Sequence, residues 1–151
     1  MTKIRLTKIF DFEMAHALFN YDGKCRNIHG HSYKLFVTII GEPIFDSKNH
    51  KNGMVMDFGD LKKIVNERII NKLDHHLMLN ENSEYKKFFD NLEQECLFTS
   101  FQPTCENLLI YFSEILKKHL PCNVKLFCLK LQETETSFSE WYSIDNEEVT
   151  V

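Results

Sequence analysis

Apolar and polar residues alternate at the start of the chain: Ile4, Leu6 and Phe10 fall on one side, and Lys3, Arg5, Thr7 and Asp11 mostly on the other. A period of two belongs to a strand with one wet face, so a first strand is predicted over 3–12. The β-branched and aromatic run from Tyr33 to Ile40 predicts a second strand, over about 31–42. The Pro, Asn and Gly residues of 42–53 then mark a loop, which puts His50 in contact with solvent. Beyond it the period changes. Leu61, Ile64, Val65, Ile69 and Leu73 recur at helical spacing and predict a helix from Asp57 to Leu73, capped by Asp57 or Asp60. Leu108, Leu109, Phe112, Ile115, Leu116 and Leu120 make a second helical stripe, begun by the N-cap Thr104 and stopped by Pro121. Asn123 to Gln132 alternates again, with Phe127, Leu129 and Leu131 on one side, and Glu140 to Ile144 makes a short aromatic strand. In 81–103 Tyr85, Phe88 and Phe89 could form a short helix and Gln102-Pro103 should end whatever precedes it, but no period is clear and the stretch reads as irregular. The order β-β-α-α-β-β predicts an α+β fold, an antiparallel sheet with two helices on one face.

The length of 151 residues fits one domain over 1–151 with a sizeable core. Hydrophobic residues at 43% and charged residues at 26% are ordinary for a soluble protein, but thirteen Phe predict an unusually aromatic core or interface. The net charge of -4, with Lys and Arg scattered, lacks the electrostatic footprint of a nucleic-acid binder. No apolar run is long enough for a bilayer and the N-terminus shows no leader pattern, so neither membrane insertion nor export is expected. Five cysteines at irregular spacing, without Cys-x-x-Cys, argue against a disulfide framework and for a reducing, cytoplasmic setting.

The densest chemistry is Cys25-Arg-Asn-Ile-His29-Gly-His31, with His16 nine residues before the thiol. His29 and His31 stand two apart, so an extended strand turns both rings to one face. With His16 they make the three-ligand set that zinc uses when its fourth position stays open to water or substrate. Lys24 and Arg26 flank Cys25, a setting that favours the thiolate as general base or nucleophile. A structural cysteine and a fourth zinc ligand are the competing readings. Asp74-His75 follows the first helix directly and pairs a carboxylate with an imidazole able to accept or deliver a proton. His75 could equally cap that helix. Glu133 closes the row Phe127, Leu129, Leu131, which brings a carboxylate to the apolar face at a strand end. Two N–H donors on the edge of a pterin or guanine would satisfy it; a structural hydrogen bond or an exposed strand end competes. Thr134, Thr136 and Ser137 add small donors, or make the turn into the last strand.

In order, Phe12-Glu-Met-Ala-His16, Cys25 to Tyr33, Gly53-Met-Val-Met-Asp57-Phe, Leu73-Asp74-His75, Pro103-Thr104-Cys-Glu106-Asn107 and Glu133-Thr134 resemble the 6-pyruvoyltetrahydropterin and 6-carboxytetrahydropterin synthase family nearly end to end. The resemblance implies zinc held by His16, His29 and His31, a catalytic Cys25 working with Asp74 and His75, and Glu133 anchoring the pterin, with Thr104 and Thr134 beside it. It implies a tunnelling fold whose sheets join into a barrel, commonly a homohexamer of two stacked trimers with active sites between subunits. The implied substrate is 7,8-dihydroneopterin triphosphate. The three residues between Cys25 and His29 look like the carboxytetrahydropterin branch, a lyase that releases acetaldehyde and triphosphate and acts toward queuosine. The pyruvoyl-forming branch is the alternative, and a non-catalytic binder of pterins or purines a more distant one. The family often places Leu-Asn one residue nearer the Asp-His pair than Leu79-Asn80 stands here, which leaves the role of Asn80 open. The stretch 81–101 also looks longer than in the shortest relatives, which implies a reshaped rim or subunit contact.

Overall fold

Strand alternation carries well past residue 12. In a computed structural model, which describes residues 2–89 and 95–146, strand β1 runs Ile4–Ala17 and pairs antiparallel with β2, His29–Gly41. Phe10, Phe12, Met14 and His16 alternate into the interior, and residues 13–17 extend the strand despite few β-favouring types. Their backbone groups find partners on β2, and tertiary pairing overrides the weak local preference. Strand β5, Val124–Thr134, pairs antiparallel with β2, and β6, Ser137–Tyr142, with β5. These are the expected antiparallel strands.

Two further strands were not legible. β3, His76–Asn80, lies parallel to β1, and β4, Cys96–Thr99, parallel to β3, giving a mixed sheet ordered β4-β3-β1-β2-β5-β6. Both are short, and Leu77, Met78 and Leu79 are all buried, so no period of two appears in them. The segment 81–103 is therefore not simply irregular: it also holds one helical turn, α3, Lys86–Phe89. Residues 90–94 lie outside the described residues. Asn80 ends β3 as a buried turn residue whose Oδ1 accepts the Asn82 N–H at 2.9 Å.

The first helix is shorter than its stripe. α1, Phe58–Val65, is capped by Asp57, whose Oδ1 accepts the Gly59 N–H at 2.6 Å. The chain then widens into a π turn over Asn66–Ile70 before a last α turn, α2, Asn71–Leu73. The wider turn lets the adjacent Ile69 and Ile70 both reach the interior. α4, Cys105–His119, begins at Thr104, whose hydroxyl oxygen accepts the Asn107 N–H at 3.3 Å. Leu61, Val65 and Ile69 pack with Leu108, Phe112 and Leu116 in the same cluster as Phe12, Leu35, Val37, Leu129 and Leu131. Both long helical segments thus cover one face of the sheet. Phe127 departs from its expected row. The register shifts opposite Thr38/Ile39, Leu126 takes the buried place, and Phe127 turns its ring to Arg5, whose guanidinium carbon lies 3.9 Å from the ring centre.

Candidate metal centre and its clefts

Sheet register brings the three histidines together. His16 on β1 stands directly opposite His29 on β2, and His31 follows on the same face of β2. Each can offer a nitrogen, and these atoms lie within 4.8 Å of one another. His16 is buried; its Nδ1–H donates to the Pro103 carbonyl at 2.7 Å, and the Nδ1–H of His29 donates to the Asn27 carbonyl at 2.7 Å. A carbonyl only accepts, so both protons are fixed on Nδ1 and both Nε2 lone pairs are left bare. Those two Nε2 atoms face each other at 3.1 Å. Two lone pairs so placed repel until a cation lies between them, and backbone acceptors on the far nitrogens are the usual support of metal-bound imidazoles. Burial holds His16 below the ordinary imidazole range, with His29 and His31 adding to the effect while Pro103 and Glu133 oppose it. Burial and His29 likewise lower His31 against the pull of Glu133. Neutral imidazoles are the form a metal requires.

Glu133, near the end of β5, has an Oε1 that lies 3.6 Å from His16 Nε2 and 3.7 Å from His31 Nε2. The same oxygen accepts the Tyr33 hydroxyl at 3.2 Å. Glu133, His16 and Cys25 line a cleft of about 410 Å³, with Thr104, Tyr21 and Ser139 also on its wall. Cys25 is half-buried in a short turn, Lys24–Arg26, whose carbonyl at Cys25 accepts the Leu18 N–H at 2.9 Å. The Gln102 side chain pairs with both backbone groups of Phe19, which ties this loop to Pro103 and Thr104. Thr104 uses its oxygen as a helix cap, leaving its O–H free to donate. Thr134 is exposed and is not among the residues lining the cleft; its Oγ1 accepts the Thr136 N–H at 3.4 Å in the turn to β6.

Asp74 and His75 line up elsewhere. His75 borders a second cleft, about 310 Å³, with Glu13, His31, Ser32 and His76. Asp74 Oδ1 stands 3.0 Å from His75 Nδ1 and accepts the Glu13 N–H at 2.9 Å. The Glu13 hydrogen bond is the largest influence holding the Asp74 carboxyl below its ordinary range, and His75 adds to it. His75 adopts φ 63, its N–H donates to the Glu13 carbonyl at 2.6 Å, and its side chain is 78% exposed. A non-glycine residue in the left-handed region carries strain that its surroundings must hold, a pattern common at functional sites. Within one chain, then, His16, Cys25 and Glu133 share one cleft, whereas His75 borders another, which His31 also lines. Tyr33 and Glu13 were missed by the sequence reading, although Tyr33 continues the His29, His31 face of β2 by one further step of two.

The 6-pyruvoyl tetrahydropterin synthase family model matches residues 5–144. A 6-carboxy-5,6,7,8-tetrahydropterin synthase of Haemophilus influenzae is 35% identical over 141 residues, covering 91% of this chain and 97% of that protein. The human 6-pyruvoyl tetrahydrobiopterin synthase is 36% identical over 118 residues, 76% of this chain and 68% of the human one. Among solved structures, the 6-pyruvoyl tetrahydropterin synthase of Caenorhabditis elegans superposes with a TM-score of 0.66 at 26% identity, over 94% of this chain and 96% of that one. The chain belongs to the 6-pyruvoyl tetrahydropterin synthase family and has its tunnelling fold.

Proposed function

We propose that this protein is a zinc-dependent 6-carboxytetrahydropterin synthase, a carbon-carbon lyase that converts 7,8-dihydroneopterin triphosphate and one water to 6-carboxytetrahydropterin, acetaldehyde and triphosphate. The observation that carries the proposal is the cluster of His16, His29 and His31, whose nitrogens lie within 4.8 Å of one another and whose member His16 borders the cleft of Cys25 and Glu133. Relatives named for this activity match at 35% and 34% identity over 91% of the chain, which favours the carboxy product. Zinc, when bound, supplies Lewis acidity that makes substrate hydroxyls easier to deprotonate. Glu133 accepts hydrogen bonds from the ring edge, Thr104 donates one, and Thr134 contributes from the rim. Cys25 moves a proton on one side of the bound side chain. Asp74 keeps His75 oriented to return one on the other.

Because His75 borders a different cleft from Cys25, the site is completed by a second copy of the chain, in a homohexamer of two trimers whose sheets join into a barrel. Such closure would also remove the open edges at β4 and β6. The setting is a single synthase-like domain over 1–151, acting in the cytoplasm toward queuosine. Among the described residues no helix is long and apolar enough to cross a membrane.

Formation of 6-pyruvoyltetrahydropterin is the second reading, favoured by the 36% identity to the human enzyme. Product mass separates the two. Metal-replete protein given dihydroneopterin triphosphate is expected to yield 6-carboxytetrahydropterin and acetaldehyde in equal amounts. The pyruvoyl product without acetaldehyde would establish the second reading, and neither product would overturn both.

A further inference from the structure

Tyr33 adjoins both the imidazole cluster and Glu133, and neither the resemblance nor the proposed chemistry gives it a task. It is only 1% exposed, yet its hydroxyl must find an acceptor, since a buried phenol without one is costly. Its acceptor is Glu133 Oε1 at 3.2 Å, one hundred residues away in sequence. The ring has little freedom. It stacks on Phe12 with centres 5.1 Å apart and planes 12° apart, and meets His31 edge to face at 5.5 Å. His29, His31 and Tyr33 share one face of β2, so the strand that carries two of the imidazoles also carries the group that grips the carboxylate.

We infer that Tyr33 is a positioning residue, which fixes the Glu133 carboxylate at a set distance and angle from the metal centre so that its remaining lone pairs meet the ring N–H groups of the pterin. This rests on the reading of Glu133 as the ring anchor. The hydroxyl takes one lone pair of Oε1 and leaves the rest of the carboxylate to accept from the ring edge, which is the geometry two parallel N–H donors need. Without the hydroxyl, the carboxylate would swing among rotamers, and the bound ring would have to order it.

Tyr33→Phe keeps the ring and its stack on Phe12 and removes only the oxygen, a near volume-conserving change. The test compares wild type, Tyr33→Phe, Glu133→Gln and the double variant by titrating 7,8-dihydroneopterin, alongside steady-state kinetics, zinc content and thermal unfolding. Tyr33→Phe is expected to weaken dihydroneopterin binding and raise KM by about tenfold while kcat changes less than about twofold, the size of one charge-assisted hydrogen bond. Zinc content stays at the wild-type level, and in the Glu133→Gln background the same change alters binding less than about twofold. A merely structural role would lower thermal stability without that coupling. Binding equal to wild type in folded Tyr33→Phe, or equal weakening in both backgrounds, overturns the positioning role. Should Tyr33→Phe not fold, Glu133→Asp withdraws the carboxylate from the hydroxyl with the core intact, and unchanged dihydroneopterin affinity there overturns the role as well. If Glu133→Gln binds dihydroneopterin as wild type does, the ring-anchor reading itself falls; if Glu133→Gln weakens binding and Tyr33→Phe does not, only the role of Tyr33 falls.

Discussion

Asp74 shows how much a single side chain owes to a neighbour's backbone. Its carboxylate accepts the Glu13 N–H at 2.9 Å and sits 3.0 Å from His75 Nδ1. A carboxyl held below its ordinary value of 3.8 contributes stability that is present above that value and is lost as pH falls through the lower folded one. Asp74→Asn is therefore expected to melt earlier than wild type at neutral pH, with the gap closing in acid below pH 3.8. Thermal melts across that range check it. The same variant should lose about 100-fold or more in kcat, since His75 would keep its place but lose the charge that orients it. Residue types and spacing singled out the imidazoles, Cys25 and Asp74 as candidates, and the resemblance gave them roles. They did not name Tyr33, because one aromatic on a strand face reads as core until its hydroxyl partner, on the distant strand β5, is known.

Elements show the same division. Strands with one wet face and the long α4 stripe were legible because their periods are clean, whereas β3 and β4 are short, β3 nearly all buried and β4 half-buried throughout, and their pairing is parallel and non-local. The π turn after α1 was illegible for a different reason: Ile69 and Ile70 fit an ordinary helical stripe closely enough that only packing distinguishes the two. Thr104 joins element to site. Its oxygen caps α4, and its residue lines the cleft beside His16 and Glu133. Thr104→Ala is expected to lower stability by about 1 kcal/mol, the usual worth of such a cap, as read by denaturant unfolding. It should raise KM while zinc content holds, because the imidazoles are supported from Pro103 and Asn27 instead.

For the whole molecule, division of the proposed machinery between two clefts is the main consequence of the fold. Cys25 and Glu133 border one cleft, and His75 borders the other. If one site draws on two copies, Cys25→Ala and His75→Ala chains, each inactive alone, should regain part of the activity when unfolded together and reassembled. Random mixing leaves some interfaces with both wild-type groups. Recovery indistinguishable from the separate variants would mean that each chain works alone. Residue types and spacing could not reveal this division, since Asp74-His75 and Cys25 gave the same signal whichever chain they serve; only the family resemblance, which implies active sites between subunits, pointed to it.

If pterin turnover depends on a zinc ion held by His16, His29 and His31, chelation followed by reconstitution will expose that dependence. Metal-stripped protein, still folded by circular dichroism, should release no acetaldehyde from dihydroneopterin triphosphate, recover on addition of one equivalent of zinc, and fail to recover when His29 is replaced by Ala. Undiminished acetaldehyde release from stripped protein, or full zinc binding and activity in His29→Ala, would contradict it.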